Sequence, residues 1–424
     1  MKILVVSHNS FSKTHNNGKT LSAIFSCFKK DELCQLFFTP IGIVDIERCD
    51  QYYLIKDKDA VRSIFFRRRC GSTQFPVVNE DYSAPTKAVR YEILNIARSI
   101  FWWMSAWYRG GLDKWLEFQN PDVVFYVGGE PVFSHKIAVK ISTRRGIPLI
   151  SYFTDDYVLN RSQSLYIKYV ISVYKQTIER SSLQFAIGKR MASEYSAYFG
   201  KAFYPIMNIV KISPEASLYV CNMKEISICY FGGLHLGRDR ELLRFATFLN
   251  HYIRPNIEAE ISLKIFTFSS LTDQEIHEME KVQMIYMGAV EGERLKQEMQ
   301  KTDIFLHVES TEKKYMELTR LSVSTKIPEY MALSKPILAF GPEDLASFEV
   351  IKEACPKMVI NDTDSEIEME NQAKALIPIL SDGMQLMTIG QENYHYAKSN
   401  FDGEKVSWDF RDKIVEILNT VKIC

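Results

Sequence analysis

The sequence has no paired cysteines, no long apolar run and no net charge, and each absence removes a class of protein. Its eight cysteines are scattered (Cys27, Cys34, Cys49, Cys70, Cys221, Cys229, Cys355 and Cys424). None forms a CxxC pair or falls at metal-ligand spacing. A disulfide framework and a zinc site are therefore not expected, and reduced thiols in a cytosol fit the pattern. No run reaches the roughly 18 apolar residues that a membrane-spanning helix needs. Met1–Val6 turns polar within a few positions and reads as a first core strand rather than a signal peptide. Gly18-Lys19-Thr20 suggests a phosphate-binding P-loop, but that pattern requires glycine at position 13, where Lys13 stands. The second half has one Asp-x-Asp, Asp362-Thr363-Asp364. It follows a short strand in an acidic run and reads as a solvated turn rather than a metal site.

The zero net charge hides an asymmetry. Lys and Arg number 52, as do Asp and Glu. Residues 1–215 hold 29 basic and 19 acidic side chains, which is +10; residues 216–424 hold 23 and 33, which is −10. A basic first half suits an anionic partner such as a membrane surface, a phosphorylated lipid or an acidic sugar, and a solvated basic face explains it equally. Two segments interleave arginine with aromatics: Arg62–Arg69, and Ala97–Arg109 with three of the five tryptophans. That is the composition of a lipid-headgroup surface, or of a buried helix with snorkelling arginines. Nothing resembling a base-stacking sheet or a basic helix array accompanies them, so nucleic acid is not an expected partner.

With 424 residues, 46% hydrophobic and 25% charged, the chain is globular and too long for one ordinary core. Strand and helix patterns alternate through both halves, which is the mark of parallel α/β domains. The first domain is expected over 1–215, the second over 216–405. A last helix over 406–424 is expected to pack back across the pair. In the first half, a strand leads through a loop with Gly18 into a helix. Its glycine is expected to let a ligand or the partner domain approach the backbone. A later strand there ends in Thr154-Asp155-Asp156. Carboxylates at such a strand end suit a site, and suit a helix N-cap equally.

In the second half the loop Gly232-Gly233-Leu234-His235-Leu236-Gly237-Arg238 follows a strand and opens a helix. Two glycines would let the backbone reach a diphosphate, with Arg238 supplying charge. Downstream, Ile304–Val308 reads as a buried strand. Thr325 is expected to cap a helix carrying Lys326 and Glu329 on one face, and Ile337–Phe340 returns as a strand. Lysine for phosphate and glutamate for ribose hydroxyls suit a nucleotide, while the same pair could be a surface ion pair.

These residues resemble the retaining GT-B glycosyltransferases, the large family that includes sucrose and glycogen synthases and many bacterial surface-polysaccharide enzymes. The resemblance rests on Tyr230-Phe231-Gly232-Gly233 with Arg238, on Tyr286-Met287-Gly288, on Thr302–Leu306, and most specifically on Ser324–Ala339. Weaker matches lie at Gly18, Pro121–Val124, Asp155 and Ala186–Met191. It implies two Rossmann-like domains facing across a cleft, with a nucleotide-diphosphate sugar as donor in the second and the acceptor in the first. Glu329 would hold the ribose hydroxyls, Arg238 and Lys326 the diphosphate, and Gly288 would line the base pocket. Asp155 or Asp156 would orient or deprotonate the acceptor, and no metal or other cofactor is expected.

The implied activity is a metal-independent, retaining transfer to a saccharide or lipid-linked acceptor. It would serve capsule, O-antigen or exopolysaccharide biosynthesis in the cytoplasm, and the segments Arg62–Arg69 and Ala97–Arg109 suggest peripheral contact at an anionic membrane. A nucleotide-sugar epimerase on the same fold, with His235 and Glu309 as acid/base groups, and a non-catalytic partner subunit are the alternatives. One departure motivates the latter. Many family members carry a sugar-contacting glutamate eight residues before the ribose glutamate, and here Leu321 stands there. Glu317, four residues earlier, is expected on a flexible loop.

Overall fold

A computed structural model of the chain describes residues 1–13, 16–39, 44–66, 70–73, 88–109, 111–159, 164–213 and 221–423. The basic residues at 67–69, and residues 214–220 of a linker expected over 211–224, lie outside the described residues. The chain divides into two units, Met1–Ile209 with Gly403–Cys424, and Val210–Asp402.

The first unit is built on a seven-stranded parallel sheet. Its strands are β1 (Ile3–Asn9), β2 (Leu33–Thr39), β3 (Tyr52–Leu54), β4 (Val123–Gly128), β5 (Leu149–Phe153), β6 (Ser181–Ala186) and β7 (Phe203–Pro205). The order is β3-β2-β1-β4-β5-β6-β7. Leu4 pairs with Cys34 on one side and Val124 on the other. The strand cores are continuous apolar runs such as Ile3-Leu4-Val5-Val6, all fully buried. Helices on both faces of a parallel sheet demand that pattern. The last strand is the sheet's edge, where Pro205 needs no N–H, and the next residue, Ile206, still donates to the Ala186 carbonyl at 2.9 Å.

Helix Gly403–Ile423 completes the first unit. Phe410 meets the rings of Phe25 and Phe125 edge-on at 5.2 and 5.4 Å. Arg411 grips Glu32 with both guanidinium nitrogens, at 2.9 and 2.7 Å.

The second unit holds β8 (Glu225–Phe231), β9 (Glu260–Phe266), β10 (Met284–Gly288), β11 (Ile304–Val308), β12 (Ile337–Gly341) and β13 (Val359–Asn361). All are parallel, in the order β10-β9-β8-β11-β12-β13. The order reverses between β8 and β11, and a crevice at the carboxyl ends of two such strands is where open α/β sheets bind ligands. Both units are thus the parallel α/β domains that the strand–helix alternation predicts.

Lys335 illustrates how this unit is held. Its buried ammonium donates to the carbonyls of Met299 (3.2 Å), Gln300 and Thr302, closing the end of helix Gly292–Lys301. The partial negative charge at a helix C-terminus favours a cation there. Helix Gly383–Asn400 packs just behind. Gly390 is needed at that contact, since a Cβ would fall 2.2 Å from the Ser334 carbonyl.

Candidate functional site

In the second unit, β8 ends at Phe231 and the chain turns through Gly232–Gly237 into helix Arg238–Phe248. Gly237 caps that helix at φ +76, where an L side chain would be strained and would strike Ser310 and Tyr315. The loop is braced internally. The Tyr230 hydroxyl donates to the Gly233 carbonyl at 2.8 Å, and the Gly232 N–H donates to the Phe266 carbonyl at 3.0 Å. A Cβ on Gly232 would fall 2.5 Å from the Tyr230 hydroxyl, and one on Gly233 2.5 Å from Nδ1 of the exposed His235. The chain's own rings take the room that these two glycines leave.

Lys326 arrives from a helix 95 residues downstream and donates from Nζ to the Phe231 carbonyl at 2.6 Å. Tyr330, one turn further along, reaches the same carbonyl at 3.4 Å and stacks on Phe305 at 4.1 Å. That contact ties helix Lys326–Ala332 to β8 and β11 together. Glu329 lies half-buried in the helix's first turn. Thr325 makes no capping hydrogen bond, contrary to expectation. Its backbone is already helical, so its hydroxyl does not face the free N–H groups, and Ser324 accepts from the Lys326 N–H instead.

Arg238 enters from the other side. Its guanidinium bonds Oε1 of Glu309 at 2.7 Å, with side-chain exposures of 18% and 5%. Glu309 follows β11 directly, and its Oε2 is buried with no hydrogen-bond partner. Burial holds this carboxyl above the ordinary range, and the neighbouring guanidinium opposes that rise. His307, on β11, bonds the Ser347 hydroxyl at 3.0 Å. Burial, then the charges of Arg238 and Lys326, push it down to about 3, so it is neutral. His235 is lowered by the same three causes. Lys326 on the Phe231 carbonyl and Arg238 on Glu309 bring the two cations to the carboxyl ends of β8 and β11, and the lowering of both imidazoles agrees with that placement.

Gly288 ends β10 at φ +73, and its carbonyl accepts from Thr267 at 3.0 Å. A Cβ there would meet open space, so its left-handed backbone, not crowding, calls for glycine. Leu321 is 1% exposed. Glu317 sits on helix Lys313–Thr319 rather than on a loop. Asp362 also corrects the solvated-turn reading. It is buried and held by Arg244 at 2.5 and 3.0 Å, while Asp364 is the exposed end of the same network.

Asp155 belongs to the first unit. It lines a cavity of about 220 Å³ at the carboxyl ends of β1, β4 and β5, with His8, Asn9, Gly129, Glu130 and Tyr157. Asp156 is structural. Its Oδ1 accepts the N–H groups of Val158 and Leu159 and the Tyr195 hydroxyl, which is a turn cap. His8 escaped the sequence reading. Burial, then Arg98 and His135, push it down to about 3, and its Nε2 is buried without a hydrogen-bond partner. A polar residue at the end of the first strand was the available signal. Gly18 is also corrected. The backbone approaching it is the chain's own, since a Cβ would fall 2.3 Å from the Ser10 carbonyl. Among the described residues no cluster of three metal-binding side chains occurs, and no helix is long and apolar enough to cross a membrane.

No family model and no curated protein matches the chain. Solved structures do match over their full length. HepE of Anabaena, solved with UDP, is 12% identical, with 98% of this chain and 100% of HepE covered at a TM-score of 0.62. WaaG, a glycosyltransferase involved in lipopolysaccharide biosynthesis, is 13% identical, with 96% and 98% covered at a TM-score of 0.56. A trehalose 6-phosphate synthase of Burkholderia multivorans is 10% identical, with 100% and 97% covered at a TM-score of 0.59. The fold is that of the GT-B glycosyltransferases.

Proposed function

We propose that this chain is a glycosyltransferase using a nucleotide-diphosphate sugar, and that the donor binds at the β8–β11 switch of the second unit. One observation carries the reading. Lys326 and Arg238, 88 positions apart in sequence, converge on the carboxyl ends of β8 and β11, Lys326 on the Phe231 carbonyl at 2.6 Å and Arg238 on Glu309 at 2.7 Å, with Glu329 one turn beyond Lys326. HepE has been solved with UDP and with UDP-glucose, which supports a nucleotide-sugar donor.

In this reading Glu329 accepts hydrogen bonds from the ribose hydroxyls, and the Gly288 bend admits the base. The ammonium of Lys326 and the guanidinium of Arg238 stabilise charge that grows on the diphosphate as the sugar–oxygen bond breaks. They supply the neutralisation that a metal ion supplies elsewhere, so transfer proceeds without one. The departing phosphate oxygen takes the proton of the incoming hydroxyl on the same face, and configuration is retained. Glu309 positions Arg238 through its 2.7 Å bond. Asp155 and the neutral His8 face the cavity in the first unit, where hydroxyls of a saccharide or lipid-linked acceptor would find acceptor atoms. WaaG is involved in lipopolysaccharide biosynthesis, which supports a role in cell-surface glycan assembly.

Product release across a panel of nucleotide sugars tests the reading. Glu329→Ala is expected to lower transfer tenfold or more, about 1.4 kcal/mol of transition-state stabilisation. Near-normal turnover in that variant removes the site assignment. Incubation of donor alone separates transfer from epimerisation, which would yield an epimer without acceptor. A non-catalytic subunit would show no thermal shift with UDP, whereas a transferase is stabilised by its nucleotide product.

A further inference from the structure

The first unit carries a surface that donor and acceptor chemistry leaves unused. Helix Ala88–Met104 faces inward with Trp102, which stacks on Phe133 at 4.1 Å and donates to Asp57 at 2.7 Å. Its outer side is apolar too. Ile93, Ile96, Ile100 and Trp103 recur every three to four residues and are 61, 41, 50 and 76% exposed. That spacing makes one ridge. Across from it, Leu165 is 85% exposed. Between them runs an open groove of about 470 Å³, lined by Ile96, Ile100, Trp103, Leu165, Tyr169 and Lys136. Single exposed apolar residues need no explanation, but a contiguous ridge and groove does.

Beside the groove lies a row of cations. Helix Val132–Arg145 presents Lys136, Lys140 and Arg144 at four-residue spacing, all exposed, along a depression of about 680 Å³. Lys136 borders both depression and groove. The cations are fixed on aromatic rings. Lys136 donates to the Tyr169 hydroxyl at 2.7 Å, Lys140 lies 5.2 Å over Trp107, and Arg144 lies 4.2 Å over Tyr108. Burial, then Arg144 and Arg109, lower the pKa of Lys140, so positive charge is concentrated here. Of the nearby carboxylates, Asp57 binds Arg98 and Asp113 binds Arg145, each at 3.0 Å, and Glu179 borders the depression.

We propose that this face docks on a bilayer containing anionic phospholipid. Trp103, Ile100 and Leu165 would enter the acyl boundary, while Lys136, Lys140 and Arg144 meet headgroup phosphates. Exposed tryptophan and aliphatic side chains flanked by a cationic row match an interfacial surface in both polarity and charge. A protein partner would leave that row without a stated counter-charge. The inference stands on the surface alone and does not depend on the donor site.

Vesicle flotation tests it, with phosphatidylcholine alone and phosphatidylcholine mixed with phosphatidylglycerol, at low and high salt. The protein is expected to float with the anionic vesicles at low salt and to be released by high salt. Neutralising the row (Lys136→Gln, Lys140→Gln, Arg144→Gln) should weaken binding roughly a hundredfold, about fivefold per charge. Trp103→Ser with Leu165→Ser should weaken it at least tenfold, with an unchanged melting temperature because both side chains are exposed. Three outcomes would overturn the proposal. Equal flotation with neutral and anionic vesicles removes the role of the cations. Absence of flotation removes docking altogether. A wild-type dimer that Trp103→Ser dissociates shows that a second copy covers the patch.

Discussion

The Arg238–Glu309 pair invites a double-mutant cycle that separates folding from function. In Arg238→Met the Glu309 carboxylate stays 5% exposed and loses the guanidinium 2.7 Å away. Its second oxygen already lacks a donor. Breaking a buried pair by removing one partner costs roughly 3–5 kcal/mol. The carboxyl responds by holding its proton. Its folded-state pKa, already raised by burial, rises further above the unfolded value. The cost appears where the unfolded carboxyl has ionised while the folded one still holds its proton. The deficit should therefore be small near pH 4.5, grow as pH rises towards the folded pKa, and level off above it. Glu309→Gln is milder, because the guanidinium left behind is 18% exposed and retains some contact with water. The double variant Arg238→Met/Glu309→Gln removes both charges and should recover most of the loss. Fluorescence cannot report this, since Trp102, Trp103, Trp107, Trp115 and Trp408 all lie in the first unit. Hydrogen exchange of β8 and β11 amides can. Transfer should be lost in Arg238→Met and in the double variant alike, because stability returns but the phosphate-binding cation does not. A coupling energy below about 0.5 kcal/mol, or a deficit flat in pH, would refute the reasoning.

Three further predictions rest on single contacts. Lys335→Met leaves three carbonyl groups in the second unit without their buried donor, and should destabilise that unit by about 3 kcal/mol or more in urea unfolding followed by circular dichroism. Gly18→Ala drives a methyl group against the Ser10 carbonyl and should lower the melting temperature at a cost of about 1–3 kcal/mol, while UDP affinity is unchanged. Glu241 is held above its ordinary value by burial, and then by the neighbouring carboxyl group of Asp362. Its raised folded-state pKa means that stability declines as pH climbs above 4.5, so Glu241→Gln should flatten the stability–pH profile of the second unit between pH 5 and 8, measured by thermal melts.

What the sequence made legible was local. Buried parallel strands announce themselves as apolar runs, and β11 and β12 lie within a residue of the expected Ile304–Val308 and Ile337–Phe340 for that reason. Lys326 and Glu329 were legible because they share one helix. Contacts between distant segments were not. Nothing at position 309 signals a bond to a residue 71 positions earlier, and nothing at Lys335 signals that it closes a helix 33 to 36 positions upstream. Leu321 shows the converse. As a sequence departure it stood for a missing sugar contact, whereas in the fold it is a buried apolar side chain that needs no polar partner. The charge asymmetry is the instructive case. A count of +10 over residues 1–215 gives the sign of a surface but not its place. In sequence, arginine adjoins aromatic residues at Arg62–Arg69 and Ala97–Arg109. The cationic row lies instead on Lys136, Lys140 and Arg144, each of which finds its aromatic ring on another segment. Their four-residue spacing was readable as one helix face. Adjacency in sequence identified the apolar ridge, but the charge that would meet a headgroup phosphate is assembled by the fold.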